Sequence, residues 1–197
     1  MALEHVGKTI NGEAGIAGGL PADWFYDSNL YEEWDAPNSS WDSGKWNTGG
    51  VSMSETSTYA RGTFSANSNT TGYIASNSSL PAGRQAYAIY GISADNGESG
   101  TATHDRTGGV YYKGSTYQTG NQDVATSTAG NFQCKILGLL VRQADGTYNL
   151  YANGQQVATG LSVSNFENFG VYVRLSQSGG NNQGCKIDKY WLRYTKT

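Results

Sequence analysis

Apolar and polar positions alternate over the last third of the chain in the pattern of β-strands joined by tight turns. Three runs rich in apolar and aromatic residues lie between residues 135 and 159, separated by Asp145-Gly146 and Asn153-Gly154. Asn and Asp tolerate left-handed backbone angles and Gly prefers them, so an Asx-Gly pair between such runs is a strong hairpin signal. The pattern predicts a three-stranded antiparallel meander.

A further strand, residues 169–176, alternates with a strict period of two. Phe169, Val171, Val173 and Leu175 share one face, which predicts that one side of the strand is buried and the other solvated. No stretch of the chain shows sustained helical periodicity, so the pattern predicts an all-β fold, a sandwich of two antiparallel sheets. Additional short strands are predicted at 50–55, 58–66, 71–76, 85–93, 101–105, 109–113, 116–118 and 185–194.

Residues 1–20 differ in composition from the rest and predict a flexible, glycine-rich N-terminal arm. Five glycines and several alanines leave this stretch little apolar area to bury. Two interpretations stay open: a disordered leader or linker, or an arm that orders by docking on a neighbouring subunit. Residues 21–197 are predicted to form one domain. Four tryptophans near its start are expected to close one end of the sandwich: Trp24, Trp34, Trp41 and Trp46.

Composition excludes two classes of partner. Charged residues make up 15% of the chain and the formal net charge is −3, whereas binding to a phosphate backbone needs clustered lysine and arginine. We therefore expect no nucleic-acid partner. The longest apolar run extends only from Ile136 to Val141, which is far too short for a membrane span.

The first ten residues, MALEHVGKTI, contain neither the basic stretch nor the apolar stretch of a secretory signal peptide. The remainder, rich in Ser, Thr, Asn and Tyr with few charges, is nevertheless typical of an extracellular surface. A virus particle reconciles the two observations, because virion proteins are made in the host cytoplasm and leave by lysis. We expect a location on the virion surface, with a secreted, extracellular protein as the alternative.

The two cysteines, Cys134 and Cys185, each open a predicted strand. A disulfide between them requires those strands to be neighbours. Buried free thiols are the state expected from cytoplasmic synthesis and a core of this size. The sequence leaves the choice between the two open.

Several segments resemble concanavalin A-like lectin/glucanase domains, including the laminin G-like jelly rolls. Residues 41–48 (WDSGKWNT) are similar to the D-x-x-K-W segment that leads into the sandwich in that superfamily. Residues 146–154 (GTYNLYANG), 168–174 (NFGVYVR) and 186–193 (KIDKYWLR) resemble, in the same order, its x-Y-x-L-Y-x-N-G segment, its G-V-x-x-R strand and its last strand. The resemblance covers residues 21–197 and implies a two-sheet antiparallel jelly roll. Its motifs are turns and core strands, so it implies a fold more than an activity.

The glucanases of this superfamily carry paired carboxylates on one strand in an E-x-D-x-E pattern. A spacing of two places the acid and the nucleophile on the same sheet face, as their chemistry requires. The chain has no such triplet. Glu32, Glu33 and Asp35 lie close together, but they are interpreted as part of a solvated acidic loop.

Alginate lyases of the same architecture carry a Y-x-K-x-G-x-Y-x-Q strand, which residues 111–118 (YYKGSTYQ) resemble with one position fewer. The arginine-rich and Gln-x-His strands of those enzymes have no counterpart, and the only histidines are His5 and His104. The chain therefore offers few residues that could act as a general base. We expect a non-catalytic protein, with an atypical polysaccharide lyase or glycoside hydrolase as the alternative.

A binding surface is the remaining expectation. Tyrosine rings present a flat apolar face with a polar edge, which suits sugars, while Asp, Arg and His supply directed hydrogen bonds. A turn at Gly114-Ser115 is expected to bring two of the tyrosines to one lip of the sheet. The predicted carbohydrate-binding cluster, for which simple packing within the sheet is the alternative explanation, comprises His104, Asp105, Arg106, Tyr111, Tyr112 and Tyr117.

No cofactor is expected from the sequence. Jelly rolls of this type often hold a structural Ca²⁺ on loop carboxylates and carbonyls, and this resemblance makes Asp27, Asp35 and Asp188 candidate ligands. The chain has no D-x-D-x-D loop to support them.

The leading functional hypothesis is a non-catalytic jelly roll on a virus particle, as a head decoration, fibre or tail component that adheres to a glycan or cell-surface polysaccharide. The N-terminal arm would then contact capsid or tail subunits. The alternative is a carbohydrate-binding module of a secreted polysaccharide-degrading enzyme.

Overall fold

A computed structural model describes residues 28–33, 41–55, 60–66, 70–77, 80–95, 105–113, 119–127, 133–162, 169–176 and 183–196. The described part of the chain is all-β, and it contains no helix of the length and apolarity needed to cross a membrane. The predicted arm, residues 1–20, lies outside it, so the flexibility of the arm stays a prediction. The strands are β1 Asn29–Glu33, β2 Trp46–Gly49, β3 Ser52–Glu55, β4 Ala60–Ala66, β5 Thr70–Ser76, β6 Ala86–Asp95, β7 Asp105–Lys113, β8 Thr119–Ser127, β9 Gln133–Arg142, β10 Tyr148–Ala152, β11 Gln155–Leu161, β12 Phe169–Ser176 and β13 Gln183–Tyr194.

The strands form two antiparallel sheets that pack face to face, which confirms the predicted sandwich. The eight-stranded sheet has the order β11-β10-β9-β6-β13-β4-β3, and β1 also pairs with β13. The five-stranded sheet has the order β2-β5-β12-β7-β8. Strand β13 bulges between Asp188 and Trp191, where Lys189 has a φ of 52°. This bulge separates the half of β13 that pairs with β4 from the half that pairs with β1.

The predicted meander is formed by β9, β10 and β11, with both Asx-Gly turns in their predicted places. Asn153 and Gly154 have φ angles of 44° and 95°, the two positive values that a type I′ hairpin needs. In the other turn, Oδ1 of Asp145 accepts hydrogen bonds from the hydroxyl (2.7 Å) and the backbone N–H (2.9 Å) of Thr147. These bonds favour the ionised carboxylate and hold the pKa of Asp145 below its usual value.

The core lies between the sheets and is built from alternating positions on their inner faces. Phe169 and Val171 of β12 are fully buried there, as the alternation of that strand predicts. The prediction that its other face is solvated is wrong at Tyr172, which is fully buried because it packs with Ala75 and Tyr111.

Two glycines of the eight-stranded sheet allow a close approach. A Cβ on Gly91 would lie 2.8 Å from Cγ2 of Val171, and one on Gly138 would lie 2.8 Å from Cγ2 of Val110. A side chain at either position would therefore overpack the core.

Trp46 links the two sheets at the edge of the five-stranded sheet. Its ring is 1% exposed and lies between the rings of Tyr31 and Tyr190, with centroids 5.5 and 5.1 Å away in edge-to-face geometry. Each such contact contributes about 0.5–1.5 kcal/mol beyond the burial of area. Trp41 also packs against the inter-sheet core, whereas Trp24 and Trp34 lie outside the described residues.

The strand order decides the pairing of the cysteines. Strand β6 lies between β9 and β13, and it pairs Cys134 with Ser93 and Cys185 with Asp95. Backbones two strands apart are separated by about 9.6 Å, whereas a disulfide requires Cα atoms within about 7 Å. A disulfide between the two cysteines is therefore incompatible with this sheet.

Candidate functional site

The five-stranded sheet has an outer face that points away from the eight-stranded sheet, and tyrosines alternate with glycines across it. Because side chains alternate along each strand, every second residue of β2, β5, β12 and β7 belongs to this face. Two rows of paired residues cross the four strands, and we call this surface the tyrosine face. One row is Gly49, Tyr73, Tyr172 and Gly109, and the next is Asn47, Ala75, Gly170 and Tyr111.

The central contact of the tyrosine face is a parallel stack of two rings. The centroids of Tyr73 and Tyr111 are 4.1 Å apart and their planes differ by 6°. The two residues come from β5 and β7, with β12 between them. The residue of β12 paired with Tyr111 is Gly170, which has no side chain to hold the rings apart. The stack therefore depends on a glycine in the intervening strand.

Two glycines of this face have no room for a side chain. A Cβ on Gly49 would overlap the ring of Tyr73, and one on Gly170 would overlap the carbonyl oxygen of Ile74 and the Cα of Ala75. The first overlap involves the far end of a side chain and the second involves backbone. Gly49 thus lets the Tyr73 ring lie against β2, and Gly170 lets β12 approach β5.

The accessibility of the three tyrosines is unequal. Tyr172 is fully buried and Tyr111 is 7% exposed, so neither ring is freely accessible to a ligand. Tyr73 is partly exposed, and Asn47, in the edge strand β2, is exposed. The tyrosine face therefore offers one partly accessible aromatic ring beside a carboxamide. The first can pack against an apolar surface and the second can exchange directed hydrogen bonds.

The sequence-predicted Tyr111 and Tyr112 do not share a surface. Tyr111 lies on the tyrosine face, whereas the neighbouring Tyr112 pairs with Phe169 and packs against the inter-sheet core. Burial raises the pKa of the Tyr112 phenol, as expected for a group that loses water on its charged form. Tyr112 is therefore not placed to contact a ligand on the outer face together with Tyr111.

Two other predicted site residues, Asp105 and Arg106, are not brought together with Tyr111. Asp105 and Arg106 open β7 and pair with Ser176 and Leu175 of β12. They precede Tyr111 by six and five positions, which corresponds to about 20 and 16 Å along the strand. His104 and Tyr117 lie outside the described residues. A recognition role for these four residues stays a prediction.

Tyr73 and Tyr172 were not predicted as site residues, although the sequence contains a signal for both. Each is a tyrosine at the position that alternates with core residues, between Gly72 and Ile74 in β5 and between Val171 and Val173 in β12. Alternation therefore places both on the face opposite to the core. Their proximity to Tyr111 follows from the strand order β5-β12-β7, which the sequence does not reveal.

Asp188, one of the three candidate calcium ligands, forms ion pairs with basic side chains. Its Oδ2 accepts hydrogen bonds from Nε (3.1 Å) and Nη2 (2.8 Å) of Arg61, and Nζ of Lys186 lies 3.8 Å away. This carboxylate is thus already neutralised by a guanidinium. Asp27 and Asp35 fall outside the described residues. In the part of the chain that is described, no group of three or more His, Cys, Asp or Glu residues could hold a metal ion.

Comparison with known proteins gives similarity at the level of structure. No family model matches the sequence, and no curated protein matches it. The chain is similar to the CBM22-1 xylan-binding domain of Paenibacillus barcinonensis Xyn10C, with 12% identity, a TM-score of 0.48, and coverage of 86% of this chain and 97% of that one. It is also similar to the Emp47p carbohydrate recognition domain, with 10% identity, a TM-score of 0.48, and coverage of 91% and 100%.

A further similar structure is an endo-β-1,4-glucuronan lyase from the fungus Trichoderma reesei, with 11% identity, a TM-score of 0.44, and coverage of 85% of this chain and 96% of that one. These three solved structures are similar to the chain in fold alone. With 10–12% identity and TM-scores below 0.5, they assign no ligand to this chain.

Proposed function

We propose that this β-sandwich domain binds carbohydrate without catalysing a reaction, and that the tyrosine face is the contact surface. The observation that carries the proposal is the parallel stack of Tyr73 on Tyr111, in which the Tyr73 ring stays partly exposed next to Gly49. A sugar presents a flat patch of C–H groups, which packs on an aromatic ring, and hydroxyls, which hydrogen-bond to a phenol or a carboxamide. Tyr73 and Asn47 supply these two kinds of contact.

The charge of the tyrosine face favours an uncharged glycan. None of the eight residues in its two rows is ionised at neutral pH: Asn47, Gly49, Tyr73, Ala75, Gly109, Tyr111, Gly170 and Tyr172. A uronate or sialate carboxylate placed over these eight residues would lose water without gaining a cationic partner among them, which costs free energy. The expected ligands are therefore neutral hexose or pentose polysaccharides.

A non-catalytic role is supported by the placement of the lyase-like residues 111–118. Tyr111 and Tyr112 face opposite sides of the five-stranded sheet, so the two rings cannot act on one substrate. Incubation with a polysaccharide panel should release neither reducing ends nor unsaturated uronates. Release of either product at a catalytic rate would overturn this part of the proposal.

The proposed biological setting is display on a virus particle as a head decoration, fibre or tail component that adheres to cell-surface glycans. A module of a secreted polysaccharide-degrading enzyme would use the same face. The neighbouring genes distinguish the two settings, because structural virion genes cluster with capsid and tail genes. A neighbourhood of polysaccharide-degrading enzymes would instead support the second setting.

The experiment that tests the proposal is a glycan array that contains both neutral and anionic polysaccharides. The parent protein should bind neutral glycans, and Tyr73→Ala should lose that signal. Gln156→Ala, an exposed position at the edge of the other sheet, is the matched control and should bind as the parent does. Equal binding by all three proteins would exclude the tyrosine face as the site.

A further inference from the structure

The turn between β10 and β11 holds the side chain of Asn153 against a third strand, β9. Oδ1 of Asn153 accepts a hydrogen bond from the backbone N–H of Leu137 (2.7 Å), and Nδ2 donates one to the backbone carbonyl of Lys135 (2.8 Å). The backbone N–H of Asn153 donates to the carbonyl of Leu137 (2.8 Å). Both polar atoms of the carboxamide are therefore bonded to β9.

The carboxamide of Asn153 continues the hydrogen bonding of β9 beyond the end of β10. Strand β10 ends at Ala152, which pairs with Gly138. Leu137 and Lys135 lie beyond this last pair, and the Asn153 side chain gives the N–H of one an acceptor and the carbonyl of the other a donor. A backbone peptide group offers the same two atoms to a neighbouring strand. An ionised aspartate at this position would be an acceptor only and would have no donor for the Lys135 carbonyl.

Asn153 is followed by Gly154, and asparagine readily loses its side-chain amide in this dipeptide. The backbone nitrogen of Gly154 attacks Cγ of Asn153, the Cγ–Nδ2 bond breaks, and Nδ2 leaves as ammonia together with the proton of the attacking N–H. Water then opens the cyclic imide at one of its two carbonyls and gives aspartate or isoaspartate, so water is the only co-reactant. Glycine favours the attack because it has no side chain to hinder its nitrogen.

The hydrogen bonds to β9 oppose this reaction in the folded protein. The attack requires the carboxamide of Asn153 to turn toward the nitrogen of Gly154, which breaks its bonds to Leu137 and Lys135. The departure of Nδ2 then removes the donor to Lys135 permanently. The reaction therefore requires the turn to separate from β9 first. A local opening of this kind costs free energy, which lowers the population of the reactive state.

We propose that Asn153 is a deamidation site that the meander of β9, β10 and β11 protects, and that deamidation during an opening of the meander prevents the turn from regaining its contacts with β9. The aspartate product places carboxylate oxygens opposite the Lys135 carbonyl. The isoaspartate product adds one carbon to the backbone of a two-residue turn. Each opening of the meander thus exposes Asn153 to an irreversible change. The proposal is independent of the tyrosine face, which lies on the other sheet.

Deamidation kinetics of the full chain, folded and in urea, test the first half of the proposal. Proteolysis and mass spectrometry follow each asparagine during incubation at mildly alkaline pH. Asn153 should react roughly tenfold or more slowly in the folded protein than in urea, and equal rates in the two states overturn the proposal. Two other Asn-Gly pairs, Asn11-Gly12 and Asn96-Gly97, lie outside the described residues and serve as references in urea. A rate of Asn153 far below theirs in urea would also overturn the proposal, because the protection would then come from the local sequence.

Asn153→Asp tests the second half of the proposal, because it installs the aspartate product directly. Gln156→Glu is the matched control, since it adds the same charge at an exposed position of the same hairpin. Backbone amides of the β9–β10–β11 meander should exchange hydrogen several-fold faster in Asn153→Asp than in the parent and the control, and the melting temperature should fall by several degrees. Amides of β12 should exchange as in the parent. Parental exchange and melting in Asn153→Asp would overturn the proposal, because the turn would then keep its contacts after deamidation.

Discussion

The ring of Tyr73 lies 4.1 Å from the ring of Tyr111 and nearly parallel to it, although β12 separates their strands. Strands two apart are separated by about 9.6 Å, so the two side chains must lean toward each other to meet. Gly170, which pairs with Tyr111 and with Ala75, places no side chain between the two rings. The outcome is a single apolar surface built from two rings that are 38 positions apart in the sequence.

Gly49→Ala should weaken glycan binding while it leaves the fold intact. The new methyl group would overlap the ring of Tyr73, and that ring can rotate away because it is the end of a partly exposed side chain. The expected change in the free energy of unfolding is within about 1 kcal/mol. Urea denaturation checks the stability, and the array signal checks the binding. A variant that binds as the parent does would show that the position of the Tyr73 ring is irrelevant to recognition.

Gly170→Ala is the matched contrast on the same face. Its methyl group would overlap backbone atoms of Ile74 and Ala75 in β5, and these cannot move without separating two strands. We expect a loss of about 3 kcal/mol in the free energy of unfolding. A Gly170→Ala protein as stable as the Gly49→Ala protein would contradict the close approach of β12 and β5.

Tyr87→Phe should destabilise the segment that leads into β6. The Tyr87 hydroxyl donates a hydrogen bond to the Pro81 carbonyl (2.6 Å) and accepts one from the Arg84 N–H (2.9 Å), while the Tyr148 hydroxyl donates to the Arg84 carbonyl (2.8 Å). Removal of the Tyr87 hydroxyl leaves a donor and an acceptor without their partner, which costs about 1–3 kcal/mol. Urea denaturation measures the loss. An unchanged midpoint of urea denaturation would show that hydrogen bonds to water replace both bonds with no loss of stability.

Stability should also fall in alkaline solution because of the same tyrosines. Burial raises the pKa of Tyr87 far above its usual value and raises that of Tyr148 as well. In the unfolded chain both phenols release their protons at about pH 10, whereas the folded protein retains them. Their contribution is therefore complete below about pH 10 and is lost as the pH rises through the folded-state values. Between pH 9 and 11, the free energy of unfolding should fall less in Tyr87→Phe than in the parent. An equal fall with pH in the two proteins would contradict this prediction.

Cys134 and Cys185 should both be free thiols under oxidising conditions. The strand β6 between β9 and β13 keeps their backbones too far apart for a disulfide. After denaturation without a reductant, alkylation should label both cysteines, and mass spectrometry counts the labels. Recovery of a peptide pair that is linked by a disulfide would mean that the order of these three strands is wrong.

The elements that were predicted from the sequence are those encoded by neighbouring residues. The turns Asp145-Gly146 and Asn153-Gly154 define their hairpins through local backbone preferences, and the alternation in residues 169–176 identifies the buried face of β12. Strand β8, Thr119–Ser127, was not predicted, because its sequence TGNQDVATS has no aromatic residue and its three β-branched residues are mixed with Gly, Asn and Asp, which are uncommon in strands. Its pairing with β7 comes from the sheet around it.

The site could be predicted only in part for a related reason. Tyr111 was identified by its residue type and its neighbours in the sequence, but its partner Tyr73 lies in a strand that is brought close by the non-consecutive order β5-β12-β7. Such an order is set by tertiary packing, which has no local signal. The separation of Tyr111 from Tyr112, in contrast, follows from the alternation of any strand, and the sequence contained enough information to predict it.

The affinity of Tyr73 variants for the best neutral glycan on the array is the most direct test of the proposed function. Calorimetric titration should show Tyr73→Ala weaker than the parent by about fivefold or more, because a stacking ring contributes on the order of 1 kcal/mol. Tyr73→Phe, which keeps the ring, should retain most of the affinity, and the unfolding midpoint of both variants should stay near that of the parent. Parental affinity in a folded Tyr73→Ala protein would contradict carbohydrate binding at the tyrosine face.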